Sequence, residues 1–302
     1  MERVLVTGGA GFIGSNVANR LAADAEVVVV DDCSLGEPGN LDPSVEFRER
    51  SVLDPDLPTD VDTVFHLAAL SSYAMHEADP QRGARVNVEG FVNVVEQARA
   101  EGCERIVYAS TSSIYGDRTE PTPESTPVSA STGYEASKLA RERYAEYFAE
   151  HYGLSLAGLR FFSVYQGYGG AESHKGEYAN VIAQFADDIA TGEPPVLYGD
   201  GSQTRDFTHV DDVVRATVAA AEAGLDGVYN VGTGQRHSFE AVVAMLNEEL
   251  GTAVDPEYVG NPIPESVYVH DTCADAETLR AATGWEPEIG LEEGIERVCR
   301  PY

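Results

Sequence analysis

A phenol and an ammonium one helical turn apart are the first residues whose types suggest chemistry. In Tyr134-Glu135-Ala136-Ser137-Lys138 they stand at i and i+4, a spacing that puts both on one face of a helix. A free tyrosine, with a pKa of about 10, is a poor base near neutrality. A neighbouring cation favours the phenolate and draws it toward the working range. Lysine is scarce here: Lys138 and Lys175 are the only two. Upstream, Ser110-Thr111-Ser112-Ser113 ends an apolar run that begins at Arg105. Hydroxyls at the carboxyl end of a strand are placed to hold a substrate hydroxyl or the tyrosine. The same four residues would also suit a solvated turn.

A second constellation opens the chain. Val4-Leu5-Val6-Thr7-Gly8-Gly9-Ala10-Gly11-Phe12-Ile13-Gly14 runs from a strand pattern through glycines into a helix pattern. Gly8 suits the tight turn, Gly11 close approach of backbone to a pyrophosphate, and Gly14 close packing of the helix on the sheet. The helix N-terminus offers amides and a positive dipole end to phosphates. Asp31 ends the next strand pattern, near the expected separation of about 20 residues. Its carboxylate would accept hydrogen bonds from an adenosine ribose and repel a 2′-phosphate, which favours NAD over NADP. Asp32 adds to that charge, with no arginine next to it in sequence. Asp31 could equally cap a turn. With NAD bound, the cationic nicotinamide ring would join Lys138 in stabilising a Tyr134 phenolate, and the compact Lys138 ammonium can serve ribose and phenol together.

These groups need a scaffold that brings strand ends together. Arg3–Thr7, Glu26–Asp31, Thr63–Ala68 and Arg105–Ser110 are nearly continuous apolar runs, as expected of parallel strands covered on both faces. Helical patterns lie between and after them at Ile13–Ala23, Gln81–Glu101 and Glu135–His151. The alternation predicts an α/β protein, a Rossmann-type doubly wound parallel sheet. From Phe162 the pattern loosens: a Gly- and Tyr-rich loop at Ser163–Gly176, a helix at Glu177–Thr191, further helices at Asp211–Ala223, Ser238–Leu250 and Leu291–Val298, and a strand at Gly227–Val231. The predicted division is a dinucleotide-binding domain over 1–162, with a return segment near 205–235, and a small α/β substrate lobe formed mainly by 163–302.

The 302 residues carry 51 Asp and Glu against 20 Lys and Arg, a net charge of −31. That balance speaks against nucleic-acid or anionic-membrane binding, which need basic patches. The acids are spread along the whole chain, which suggests adaptation to high salt, where screening mutes self-repulsion. Cys33, Cys103, Cys273 and Cys299 lie far apart without a C-x-x-C pair, so a disulfide framework or zinc site is not expected and a reducing cytoplasm is. His66, His76 and His209 do not have metal-ligand spacing. Neither a secretory leader nor a run of about 20 apolar residues is apparent.

With these residues in view, the sequence resembles the extended short-chain dehydrogenase/reductases, in their nucleotide-sugar epimerase/dehydratase branch. The resemblance rests on TGGAGFIGS at Thr7–Ser15, HLAA at His66–Ala69, Asp79-Pro80, NVEG at Asn87–Gly90, STSSIYG at Ser110–Gly116, YEASK, LRFFSVY at Leu159–Tyr165, YGDGSQTRDFTHVDD at Tyr198–Asp212, YNVGTG at Tyr229–Gly234 and GWEP at Gly284–Pro287, in family order. It implies a bound NAD used catalytically on a nucleotide-diphosphate sugar of the UDP-glucose/UDP-galactose type. Tyr134 would take the proton from the 4-hydroxyl while the 4-hydrogen leaves as hydride. The 4-keto sugar would then turn over and recover the hydride on its other face. Thr111 matches the family's catalytic Ser/Thr, with Ser112 beside it. The implied cofactor site comprises Gly8, Gly11, Phe12, Ile13, Gly14, Asp31, Asp32, Ser34, Val52, Leu67, Ala68, Ala69, Asn87, Tyr134, Lys138 and Phe161. Ser72, Thr111, Tyr134, Ser163, Tyr165 and Arg205 would face the substrate. Asp206 could instead hold Arg205 in a structural pair. A homodimer through helices near Val88–Ala100 and Glu135–Glu150 is also implied, although their apolar faces could be internal core.

The chain departs from the family pattern in places. Ser51 stands where an acid is usual, Ser163 where Asn is, Gln166 where Gly is, and Ile263–Ser266 lacks the arginine of an R-x-G-D element, leaving a second phosphate anchor unassigned. Ser112-Ser113 after Thr111 lack the acid pair that a 4,6-dehydratase would use for its extra proton transfers. Epimerisation therefore fits best. UDP-N-acetylhexosamine or UDP-uronate epimerases, a net dehydrogenase, and a non-catalytic dinucleotide-binding regulator are the alternatives.

Overall fold

The computed structural model describes all 302 residues. In chain order its elements are β1 (Arg3–Thr7), α1 (Phe12–Leu21), β2 (Glu26–Asp31), β3 (Glu46–Glu49), β4 (Thr63–His66), α2 (Tyr73–Ala78), α3 (Pro80–Ala84), α4 (Gly90–Ala100), β5 (Arg105–Thr111), α5 (Gly133–Tyr152) and β6 (Ser155–Phe161). The second half adds β7 (Val164–Tyr165), α6 (Val181–Thr191), β8 (Val196–Tyr198), β9 (Thr204–Arg205), β10 (Thr208–His209), α7 (Val210–Glu222), β11 (Gly227–Val231), β12 (His237–Ser238), α8 (Phe239–Leu250), β13 (Glu257–Val259), α9 (Glu277–Thr283) and α10 (Leu291–Cys299).

Seven parallel strands form the central sheet in the order β11-β6-β5-β4-β1-β2-β3. The fold is the doubly wound α/β arrangement the alternation implied. Val27–Val30 explain why such runs become central strands: side chains on both faces are buried, Val28 and Val30 in one apolar core and Val27 and Val29 in the other. Order reverses between β1 and β4, and in open α/β sheets ligands bind at the carboxyl ends beside such a switch point. The glycine turn after β1 and the hydroxyl cluster after β5 both lie at that edge.

The stretch read as one helix over Gln81–Glu101 is α3 and α4 joined by a wide π turn at Arg85–Glu89. Beyond β6, α7 packs on α1 and β11 extends the sheet. Ala276, Leu279 and Trp285 join the same core. The remaining chain builds a smaller core around Ile182, Phe185, Phe207, Phe239 and Ile295. No helix is long and apolar enough to cross a membrane.

Candidate active site

The turn after β1 is shaped by what glycine alone can do. Gly8 has φ +67°, and a Cβ there would lie 2.5 Å from the Ala68 amide nitrogen. A Cβ on Gly14 would run into the Gly8 carbonyl oxygen; the crowding is with the turn itself rather than with the sheet. No side chain caps α1. Its first-turn residues Phe12, Ile13 and Gly14 instead line a cavity of about 800 Å³, leaving their amides to an anion. Such a cradle fits the pyrophosphate of a dinucleotide. Asp31 is buried and accepts from the Ala10 amide at 3.0 Å and the Cys33 amide at 2.9 Å. It therefore braces the turn, as the capping reading expected, and also lines the cavity. Burial pushes its pKa up, against the pull of those amides.

Across the cavity, α5 begins with a capping box. The Thr132 hydroxyl accepts from the Glu135 amide, and the Glu135 carboxylate accepts from the amides of Ser131 and Thr132. This fixes the helix start and puts Tyr134 in its first turn, half-buried at the cavity wall. The dipole there favours a negative charge. Lys138 is 2% exposed and donates to the Ala109 carbonyl at 3.0 Å. Its Nζ lies 5.8 Å from the centre of the Tyr134 ring. Thr111 caps the turn after β5 and shares a 2.6 Å hydrogen bond with Ser113; it lines the cavity together with Tyr134.

The electrostatics differ from the sequence expectation for Tyr134. Burial pushes the phenol above its ordinary value, while the Thr111 hydroxyl and the Arg141 charge pull the other way. Burial, then the Arg141 charge, holds Lys138 well below its ordinary value. The ammonium that sequence spacing offers to Tyr134 is turned onto a carbonyl, so desolvation prevails over pairing.

Of the expected site residues, Gly8, Gly11, Phe12, Ile13, Gly14, Asp31, Asp32, Ser34, Val52, Leu67, Ala68, Ala69, Ser72, Thr111, Ser112, Tyr134, Lys138, Phe161, Ser163 and Arg205 all line this cavity. Two do not. Asn87 is fully buried behind the wall, its side chain spent on Leu70, His76 and Ser137; it positions the Leu67–Leu70 segment rather than presenting an atom to a ligand. Tyr165 is also fully buried, edge-on to Phe207 and His209 in the core of the small lobe. It packs so tightly over Gly294 that a Cβ there would collide with its hydroxyl. Its place next to Val164 in a cavity-lining strand does not carry it to the cavity, because alternate residues of a strand face opposite ways.

Arg205 does not pair with Asp206. Its guanidinium donates to the carbonyls of Thr204, Val269 and His270 and lies over Phe239 and Tyr268. Asp206 instead gathers the amides of Thr233, Gly234 and Ala274. Ser163 holds a left-handed φ of +30°, uncommon outside Gly and Asn. The structure also brings in residues that the sequence patterns leave without a role. Arg82 stands 4.0 Å from Asp32, and with Arg50 it reaches the cavity. From the small lobe, His174, Lys175 and Tyr178 complete the wall, with the Lys175 ammonium 5.6 Å from the Phe12 ring. The rarity of lysine was the one signal pointing to Lys175.

Comparison with known proteins agrees with this geometry. Residues 4–232 match the model of the NAD dependent epimerase/dehydratase family. The chain is 36% identical over 309 residues to a UDP-glucose 4-epimerase of Mycolicibacterium smegmatis, covering 98% of this chain and 96% of that one. Among solved structures, a Thermotoga maritima UDP-glucose 4-epimerase with UDP-glucose is 34% identical with a TM-score of 0.90, covering 99% of this chain and 97% of the other. A UDP-N-acetylglucosamine 4-epimerase of Methanobrevibacter ruminantium is 29% identical with a TM-score of 0.91, at the same coverage. The chain therefore belongs to the NAD-dependent epimerase/dehydratase family and is an NAD-dependent enzyme of the nucleotide-sugar epimerase type.

Proposed function

We propose that this enzyme inverts C4 of a UDP-hexose of the glucose/galactose type through a 4-keto intermediate. The observation that carries the reading is the convergence of Tyr134, Thr111 and Lys138 on the same cavity that the glycine turn lines. The free α1 amides would hold the pyrophosphate of NAD, which when bound would supply hydride-transfer chemistry at C4 of the sugar. Tyr134 takes the proton of the 4-hydroxyl and gives it back after the sugar has turned. Thr111 orients that hydroxyl and the phenol. Lys138 holds the nicotinamide ribose and supplies positive charge. Arg205 faces the nucleotide of the substrate, and Lys175 adds a cation beside the pyrophosphate turn. Ser163 and Ser72 approach the sugar and its phosphates.

Serines at 112 and 113, with no acid after Thr111, favour epimerisation over dehydration. Incubating the holoenzyme with UDP-glucose, UDP-N-acetylglucosamine and UDP-glucuronate, with products read by NMR, tests the assignment. C4 inversion of UDP-glucose without net NADH release is the expected result. Inversion confined to one of the other sugars, or accumulation of NADH, replaces the reading.

We also propose a homodimer built on α4 and α5 and a salt-dependent fold in a reducing cytoplasm. Tyr144, Tyr147 and Tyr152 are each at least 40% exposed on α5, an aromatic patch suited to burial by a second copy. Sedimentation and melting in a KCl series check both. The expected result is a dimer whose melting temperature rises toward molar salt; a monomer, or a flat series, removes the corresponding part.

A further inference from the structure

Tyr134, Lys138 and Arg141 stand at i, i+4 and i+7 of α5 and so form one stripe along the helix. Arg141 is fully buried. Its Nε donates to the Asn87 carbonyl at 2.6 Å, one terminal nitrogen to Ala68 at 2.8 Å, and the other to Ala109 at 3.5 Å. None of these acceptors is a carboxylate. The Ala109 oxygen is also the acceptor for Lys138, so two cations crowd one carbonyl with no acid to balance them. Burial brings the guanidinium down to about 10, while the nearby phenols of Tyr134 and Tyr108 hold it up. A buried charge without a counterion is costly. The acidic group that this stripe faces is the Tyr134 phenol.

We propose that Arg141 is a second, permanent cation of the active site: a positioning residue that pins the Ala109 carbonyl and the Lys138 ammonium and stabilises the Tyr134 phenolate from behind. This deepens the assignment of Tyr134 as the base and rests on it. The other charged or titratable groups around Tyr134 and Arg141 do not supply the same charge. On α5, Glu135 opposes phenolate formation. From α2, His76 meets the ring edge-on at 5.7 Å. Burial, with the charges of Lys138 and Arg141, holds it below its ordinary value. From β4, His66 is held well below by burial and the same two cations. From β5 come Thr111, which cannot carry charge, and Tyr108, which burial keeps neutral.

The test is the pH dependence of kcat in holoenzyme variants, with folding followed by Tm. In R141Q the acid limb should move to higher pH, because loss of a nearby positive charge raises a phenol by about 1–3 units. Turnover below the limb then falls about tenfold per unit. R141M removes the charge with an apolar side chain of similar length, a replacement that buried sites often tolerate better than a polar one, and its limb should move with that of R141Q. Either variant decides the matter where the other does not fold: a folded variant whose profile overlays the parent overturns the proposal. Y134F separates this inference from the reading beneath it. If Y134F keeps normal turnover, the base assignment itself is wrong. If Y134F is dead and the Arg141 variants fail as described, only the role of Arg141 falls.

Discussion

Arg141 and Glu142 are consecutive on α5, about 100° apart around the helix, yet they meet different segments and opposite kinds of charge. On the cavity side, Arg141 and Lys138 meet backbone carbonyls and no acid. Glu142, one turn beyond Lys138, receives Arg160 at 2.9 and 2.7 Å and the Ser110 hydroxyl at 2.6 Å. Arg160 continues to the Tyr115 hydroxyl, which donates to Asn230. That network ties α5, β5, β6 and β11 together, with both ions 3% exposed. Burial works against the Arg160 charge, but the bonds and charge of Glu142 more than offset it, so the guanidinium is held above its ordinary value. Arg141 is shifted the other way. The same helix therefore holds a balanced pair that stabilises the fold and an unbalanced pair available to chemistry. Perturbed buried charges cluster at functional sites.

The largest effect should come from removing the group that the unbalanced side serves. Tyr134→Phe deletes one oxygen from a half-buried ring and should leave Tm and NAD binding near the parent values. Turnover should fall about 10²–10⁴-fold, the usual scale for a general acid–base group. Steady-state rates with NMR detection check this. An unchanged rate would break the comparison at its root, because the cavity side would then hold cations with no chemical use.

Glu142→Gln should do the reverse. It strands the buried Arg160 guanidinium, and breaking such a pair costs about 3–5 kcal/mol. Denaturant melts should show this loss, with the acid limb of kcat unmoved at temperatures where the variant is folded. The double variant Glu142→Leu with Arg160→Met should recover much of the lost stability, since apolar replacement of a whole buried pair is often near neutral. A displaced acid limb in Glu142→Gln would show that the two pairs on α5 are electrostatically one site.

This division also marks how far the sequence could be read. The stripe Tyr134, Lys138 was visible because its spacing matches a helix and its residue types match a reaction. Arg141 continues that spacing, but an arginine on a helix is usually solvated, and its burial depends on the Asn87 and Ala68 carbonyls arriving from distant segments. β6 escaped the period analysis for a related reason. Within Ser155–Phe161, Gly158 and Arg160 interrupt the apolar run. Gly158 is small because the Tyr108 ring fills the place of its side chain, and Arg160 is tolerated because Glu142 awaits it. β3 is a polar edge strand, and the two-residue strands of the small lobe are too short to show any period. The π turn holding Asn87 looks like ordinary helix in sequence. Local patterns thus report strands with apolar neighbours on both faces and helices with one apolar stripe; they miss elements whose buried residues are polar and paired across the fold.

The opposition recurs on a smaller scale at the end of β6, where Arg160 belongs to the balanced network and Ser163 reaches the cavity with φ +30°. A residue held there carries strain of about 1–3 kcal/mol. Ser163→Gly would relieve it but widen the unfolded ensemble, at about 0.4–1 kcal/mol. The net should be a gain of roughly 1 kcal/mol or less, seen as a rise in Tm of ~2 °C. If the strain serves the sugar site, this more stable variant should turn over more slowly, because the hydroxyl and its enforced direction are both lost. Ser163→Asn should keep the stability gain, since Asn tolerates left-handed backbone, while restoring a polar group at the wall. Stability and turnover rising together in Ser163→Gly would mean that the backbone here is merely awkward and that the Ser163 hydroxyl takes no part in the sugar site.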